Sequence, residues 1–250
     1  MSLIEIQQQG PVRTVILNRP EKRNAMNSDM LHCLHDAFRV EPDAHERVTI
    51  IRSRGPVFCA GRDLRESTTG VPLVDVEPIF HAVEAYPLPV IAVVQGAAIA
   101  GGCELALHCD FVVASEVARF GMSLAQIGRA PSWFLAKKIL EVAGPVGARE
   151  VLLLGDPLSA VHMHQLGMIA RVAPPEELEQ VTQALVDRLV ANAPLSLRAT
   201  KAVLVREMAF RDHIAHDDLD AFVRSVASSH DAMEGMKARI DKRAPNFIGN

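Results

Sequence analysis

The segment Gln95-Gly96-Ala97-Ala98-Ile99-Ala100-Gly101-Gly102-Cys103-Glu104-Leu105-Ala106-Leu107 decides how this chain folds. It follows Val90-Ile91-Ala92-Val93-Val94, an apolar run without alternation, as expected of a strand covered on both faces. The segment reads as a turn and then a helix that opens on the glycine pair. Adjacent glycines leave the main chain bare to a ligand or to a second backbone. The first N–H groups of a helix lack internal partners and sit at the positive end of its dipole, so such a site can stabilise an oxyanion. Tight seating of a helix on a sheet, with no ligand, would use the same glycines. Glu104 shifts the reading toward chemistry, because a carboxylate on a helix of Cys, Leu and Ala is costly unless it is paired or used. A solvated first-turn glutamate favoured by the dipole is the alternative.

Outward from this segment, the 250 residues suit one main domain with an appendage. Aromatic residues are only 4% of the chain, so the core must be aliphatic. The net charge of −4, with no basic block, excludes an obvious nucleic-acid surface. Residues 88–107 are apolar enough to raise the question of a membrane helix, but Pro89, Gln95, the Gly101-Gly102 pair and Glu104 interrupt them. No signal peptide is read in Leu3-Ile4-Glu5-Ile6-Gln7-Gln8-Gln9, and a cytoplasmic protein is expected. Cys33, Cys59, Cys103 and Cys109 form no CxxC pair and no metal-ligand spacing, so they are expected to be reduced, buried and apolar in role. No His is tied by spacing to Cys59, which makes it a poor nucleophile candidate. His162 and His164 flank Met163 in a helical stretch and point apart, which argues against a shared metal. There is no G-x-S-x-G elbow, Walker loop or G-x-G-x-x-G.

The element pattern is α/β. Residues 2–7 and 12–18 read as a hairpin joined at Gln9-Gly10-Pro11. Ser28 is placed as the cap of a helix running to about residue 39, and residues 48–51 as a strand. A loop of small residues spans 55–63, and Asp63 is expected to cap a short helix after it. A helix over 73–86 stops before Pro87 and Pro89, and Phe111-Val112-Val113 is another buried strand. Ser159 is expected to cap a helix, Pro175 to open one, and residues 196–241 to form two or three in a row. The expected organisation is a core over 1–195 and a helical extension over 196–250.

Three segments, in order and at the right spacing, resemble the enoyl-CoA hydratase/isomerase (crotonase) family. They are Leu17-Asn18-Arg19-Pro20-Glu21-Lys22-Arg23-Asn24-Ala25-Met26, then Phe58-Cys59-Ala60-Gly61-Arg62-Asp63-Leu64, then Gly96 through Cys109-Asp110. Weaker similarity covers nearly the whole chain. The resemblance implies a spiral core of repeated β-β-α units with a C-terminal helical trimerisation region, hence a homotrimer or homohexamer. It implies an acyl-CoA thioester substrate, with coenzyme A as part of the substrate and no metal or other cofactor. It assigns the oxyanion-binding N–H groups to Arg62 and Gly101 and an acid/base role to Glu104. Lys22 and Arg23 are then expected near the phosphates, Ala60 and Arg62 along the CoA, and Phe247 near the adenine.

One departure concerns the chemistry. Hydratases of this family generally place two glutamates around one water. Glu104 matches the first, and the position of the second is Leu124, in Phe120-Gly121-Met122-Ser123-Leu124-Ala125-Gln126-Ile127-Gly128. Glu104 is therefore expected to lack a partner carboxylate. The stretch Arg129-Ala130-Pro131-Ser132-Trp133-Phe134, in place of a Gly-rich turn, is closer to the mitochondrial double-bond isomerase branch. The expected activity is hydration of a 2-enoyl-CoA or a shift of its double bond. Decarboxylation, thioester hydrolysis or a catalytically silent acyl-CoA-binding subunit are the alternatives.

Overall fold

The computed structural model describes residues 2–63, 65–66 and 74–250. Strands β1 (Ile4–Gln9) and β2 (Val12–Leu17) form the expected antiparallel hairpin, with Gly10 at the turn in a left-handed conformation. Next come α1 (Ser28–Arg39), β3 (Val48–Ser53) and α2 (Glu77–Glu84). Strands β4 (Val90–Val94) and β5 (Ala97–Ile99) lead into α3 (Gly101–Leu107). Strands β6 (Phe111–Ser115) and β7 (Arg119–Gly121) precede α4 (Trp133–Arg149), which is broken at Gly144-Pro145. The remaining elements are β8 (Leu158–Ser159), α5 (Ala160–Gln165), β9 (Arg171–Ala173) and α6 (Leu178–Val190), followed by α7 (Pro194–Met208), α8 (Asp217–Ala227) and α9 (His230–Asp241).

Two sheets run through the core. The larger has the order β1-β2-β3-β4-β6-β9, parallel except for the first hairpin, and the smaller has β5-β7-β8. Strand β4 enters the larger sheet, β5 the smaller, and α3 returns; β6, β7 and α4 repeat the cycle. An isolated parallel bridge between Cys59 and Ala98 gives β3 and α2 the same plan. This is the β-β-α spiral expected above. The continuous apolar run of β4 follows from its position. Val90, Ala92 and Val94 face one core with α1, α2 and α3, whereas Ile91 and Val93 face another with Leu178, Val186 and Leu189 of α6.

Several local expectations change. The cap of α1 is Asn27, whose side chain accepts from the Met30 N–H at 3.2 Å, while the N–H and hydroxyl of Ser28 donate to Glu66. Helix α2 begins at Glu77, with Pro78 in its first turn, and ends at Glu84; residue 73 lies outside the described residues. Residues 175–177 form a turn, so Pro175 precedes α6 rather than opening it. Asp63 accepts from the Arg65 N–H, but the short helix expected after it falls mostly outside the described residues. Ser159 does cap α5. Cys33 is exposed on the outer face of α1, contrary to expectation, whereas the other three cysteines are buried.

The C-terminal helices are joined to the core by specific contacts. The Lys201 ammonium of α7 is buried and donates to Asp110 at 2.6 Å and to the Leu88 carbonyl at 3.0 Å. Helix α9 lies backbone to backbone on residues 125–128, since a Cβ at Gly235 would come 2.4 Å from the Ile127 carbonyl carbon. Apolar side chains of this region remain in solvent, among them Leu195, Val203, Leu204, Phe210, Leu219 and Phe222. No helix among the described residues is long and apolar enough to cross a membrane.

Candidate active site

Two loops meet at the N-terminus of α3. The first, residues 58–63, is held by the segment before α1. Asn24 is fully buried; its side chain accepts from the Arg19 N–H and donates to the carbonyls of Arg54 and Val57 at 2.8 Å each. The Ala60 N–H donates to Arg23, the Met26 N–H to Gly61 and the Asp63 N–H to Met26. Arg19 and Asp63 form an ion pair at 3.1 Å across the same junction. The motif around residues 19–26 is thus a brace for the second motif.

The second loop is the turn from β5 into α3. Its meeting with the first requires glycine at two points. Gly61 has φ of +89°, and a Cβ there would approach the Ile99 oxygen to 2.8 Å. A Cβ at Gly102 would lie 2.3 Å from the Cys59 carbonyl oxygen. Between these contacts the backbones of Arg62 and Gly101 come close, a Cβ on Gly101 falling 3.9 Å from the Arg62 nitrogen. Neither N–H finds an acceptor among the described residues. Ala100, which turns the chain into α3, has φ of 49° and ψ of −120°, a strained conformation for a residue with a Cβ, fixed by its N–H bond to Gly121 at 2.7 Å. Unpartnered N–H groups at a helix start are the kind of donors that suit an anion.

Glu104 stands one turn further along α3. It is 6% exposed, and its carboxyl has no hydrogen-bond partner among the described residues. Burial pushes its pKa up to about 8, and the nearby carboxylates of Glu77 and Asp75 push in the same direction. Both of these carboxylates come from the start of α2 and its approach. Glu77 is half-buried, and burial raises its pKa too, while a hydrogen bond from the Ser132 hydroxyl opposes the rise. Leu124, at the position expected to oppose Glu104, rests against the apolar core. Cys59 is buried and its thiol is pushed up to about 12 by desolvation, so it stays protonated and is no nucleophile.

A cavity of about 620 Å³ opens beside the two loops, lined by Lys22, Arg23, Ala60, Arg62, Asp63 and Ile240 among others. Four of the residues assigned to CoA thus share one wall. Phe247 does not join them; it lines a separate cavity with Arg239 and Arg243. Arg62 turns its guanidinium to the Val74 carbonyl, leaving Nη2 buried without a partner among the described residues, and burial lowers its pKa. No group of three or more possible metal ligands occurs among the described residues.

Residues 7–250 match the family described as Enoyl-CoA hydratase/isomerase. The chain belongs to the enoyl-CoA hydratase/isomerase family. An enoyl-CoA isomerase/hydratase of Mycosarcoma maydis is 34% identical to it, over 94% of this chain and 92% of that protein. A 2,3-dehydroadipyl-CoA hydratase of Escherichia coli is 31% identical over the full length of both. The crystal structure of a methylmalonyl-CoA decarboxylase superposes with a TM-score of 0.91 over 100% of this chain and 99% of that one, at 24% identity, a likeness of fold. The spiral is accordingly the crotonase fold of this family.

The structure brings Arg62, Gly101 and Glu104 to one junction and Lys22, Arg23 and Ala60 to the cavity beside it. Sequence reasoning missed Glu77, Asp75 and Ser132. The signal for the first two was present in Asp75-Val76-Glu77-Pro78, an acidic first turn with Pro, a usual helix start. That signal places the helix but says nothing of what the glutamate faces.

Proposed function

We propose that this protein transforms an enoyl-CoA thioester through an enolate, with the thioester oxygen held by the N–H groups of Arg62 and Gly101 and Glu104 moving the proton. The observation that carries this reading is the buried, unpartnered carboxyl of Glu104 one turn from two idle backbone donors. Charge grows on the thioester oxygen as C2 loses or gains a proton, and preplaced donors in a dry site stabilise that charge; one such donor elsewhere contributes roughly 3–4 kcal/mol. A carboxyl titrating near 8 exchanges protons readily around neutral pH. One such group completes a double-bond shift, taking a proton from C2 and returning it at C4, so isomerisation is the reaction Glu104 can perform alone. Lys22, Arg23, Ala60 and Arg62 line the CoA route; Phe247 as the adenine neighbour would require the nucleotide to reach the second cavity. The exposed apolar residues of α7 and α8 support a homotrimer or a pair of trimers, and a monomer mass by light scattering would refute this. The test of activity is a panel of 2- and 3-enoyl-CoA thioesters. Turnover of at least one is expected, and turnover of none would overturn the reading.

A further inference from the structure

We propose that Glu77 is a second catalytic carboxyl, reached from α2, which holds and activates water opposite Glu104 and so restores the two-carboxyl arrangement that Leu124 removes. This rests on the reading of Glu104 given above.

The juxtaposition follows from how α2 and α3 lie together. On α3, Glu104 and His108 are one turn apart and share a face; on α2, Glu77 and Phe80 share a face in the same way. The His108 ring meets Phe80 at 5.7 Å and stacks on Phe134 at 4.8 Å. Stepping one turn toward the N-terminus from this ring stack leads to Glu104 on one helix and Glu77 on the other. The far ends agree: Glu84, at the end of α2, acts on His108 and pairs with Lys138, whereas Glu77 acts on Glu104. Phe134, the ring stacked on His108, also lines a cavity of about 380 Å³ with Asp75, Glu77, Ser132, Trp133, His216 and Asp220, so Glu77 faces open space bordered by this same ring stack. The neighbouring acids are mostly engaged: Asp220 lies 2.9 Å from His216, Asp212 2.5 Å from Lys137, and Asp75 caps the Glu77 N–H at 3.0 Å. The indole N–H of Trp133 has no partner among the described residues, leaving a donor for a water or an acyl oxygen.

Of the two carboxyls Glu104 is the more deeply buried, and with its pKa pushed up by burial and by the Glu77 carboxylate it is the one that keeps a proton near neutrality. Glu104 is therefore the acid and Glu77 the base. The Glu77 carboxylate takes one proton from water as the water oxygen bonds to C3 of a 2-enoyl-CoA. The C2–C3 electron pair moves toward the thioester, whose oxygen becomes the enolate held by Arg62 and Gly101. As the enolate collapses, Glu104 gives its proton to C2. One O–H bond breaks, one C–O and one C–H bond form, and the proton on Glu77 returns to Glu104 through solvent.

The experiment follows two reactions of each variant. Hydration of but-2-enoyl-CoA needs both carboxyls, whereas exchange of the C2 proton of butanoyl-CoA in D₂O needs only Glu104 and the two N–H groups. Glu77→Gln should lower hydration by about 100-fold or more and leave exchange within about threefold, while Glu104→Gln loses both. Glu77→Asp should recover part of the hydration; if Glu77→Gln does not fold, this variant carries the test through hydration reduced about tenfold with exchange retained. Hydration unchanged in Glu77→Gln would overturn the assignment, as would equal loss of both reactions in a variant that still binds butanoyl-CoA. Wild-type protein that exchanges but does not hydrate would overturn it too, leaving the Glu104 reading intact. Exchange retained in Glu104→Gln would instead overturn the Glu104 reading.

Discussion

Two glutamates on neighbouring helices, the half-buried Glu84 of α2 and the buried Glu104 of α3, have opposite surroundings. Glu84 is bonded to the Lys138 ammonium, which also pairs with Glu141 at 3.0 Å, and although burial raises its pKa, Lys138 carries it below the ordinary value. Among the described residues Glu104 has no cation and no donor, and burial carries it to about 8. His108 lies between them, bonded through Nδ1 to the Glu104 carbonyl and held neutral by burial, with a pKa pushed down to about 4. The same α2–α3–α4 neighbourhood therefore contains one carboxylate kept charged for structure and one carboxyl kept unsatisfied. A buried group without a partner is a cost to folding, so its presence marks a place where something other than stability is served.

The largest effects should separate the two. Glu104→Gln should lower turnover on the best enoyl-CoA by about a thousandfold, with acyl-CoA affinity within about threefold by calorimetry. Lys138→Met, which strands Glu84 without its cation and leaves Glu141 only the Lys137 ammonium at 3.8 Å, should cost about 3–5 kcal/mol of unfolding free energy in urea melts. If Lys138→Met were neutral for stability, or Glu104→Gln neutral for turnover, the contrast would collapse. Gly102→Ala comes next. Its Cβ would collide with the Cys59 carbonyl at 2.3 Å and push α3 away from the residue 58–63 loop, so a loss of turnover of about tenfold or more is expected, together with about 1–3 kcal/mol of stability. Leu124→Glu is the mildest change and should increase hydration of a short 2-enoyl-CoA by adding a carboxyl from the other side.

A pH series sharpens the same contrast. The folded pKa of Glu104 lies above its unfolded value, but the group is an acid, so the folded state binds the extra proton between about 4.3, the unfolded value, and about 8. Glu104 therefore costs the fold nothing below that window, costs progressively more as pH rises through it, and reaches its full cost above pH 8. Glu104→Gln removes the cost, so its Tm advantage over wild type should grow from pH 5 to pH 8.5 and then level off. A constant difference across that range would contradict the unpaired state of Glu104.

Much of this was legible before any coordinates. Val90–Val94 and the Gly101-Gly102 start of α3 carry strong local signals, a fully apolar run and a glycine pair, and both are found in place. Strands β5, β7 and β8 were not read, because three residues such as Arg119-Phe120-Gly121 have no period of their own and are strands only through their neighbours. The cap of α1 moved by one residue because Asn27 and Ser28 are both good caps, and a distant Glu66 occupies the serine. Of the site, the residues within motifs were recognisable, and the pairing of α2 with α3 that sets Glu77 against Glu104 was not, since it depends on tertiary contacts between rings at positions 80, 108 and 134.

The most direct test is the titration of Glu104 itself, followed by carbon NMR of selectively labelled glutamate carboxyls, with Glu104→Gln identifying the resonance. The account predicts a midpoint near 8 that moves down in Glu77→Gln, as a neighbouring negative charge is removed. A midpoint near the ordinary carboxylate value would show that Glu104 is solvated or paired and would contradict its role as the proton carrier.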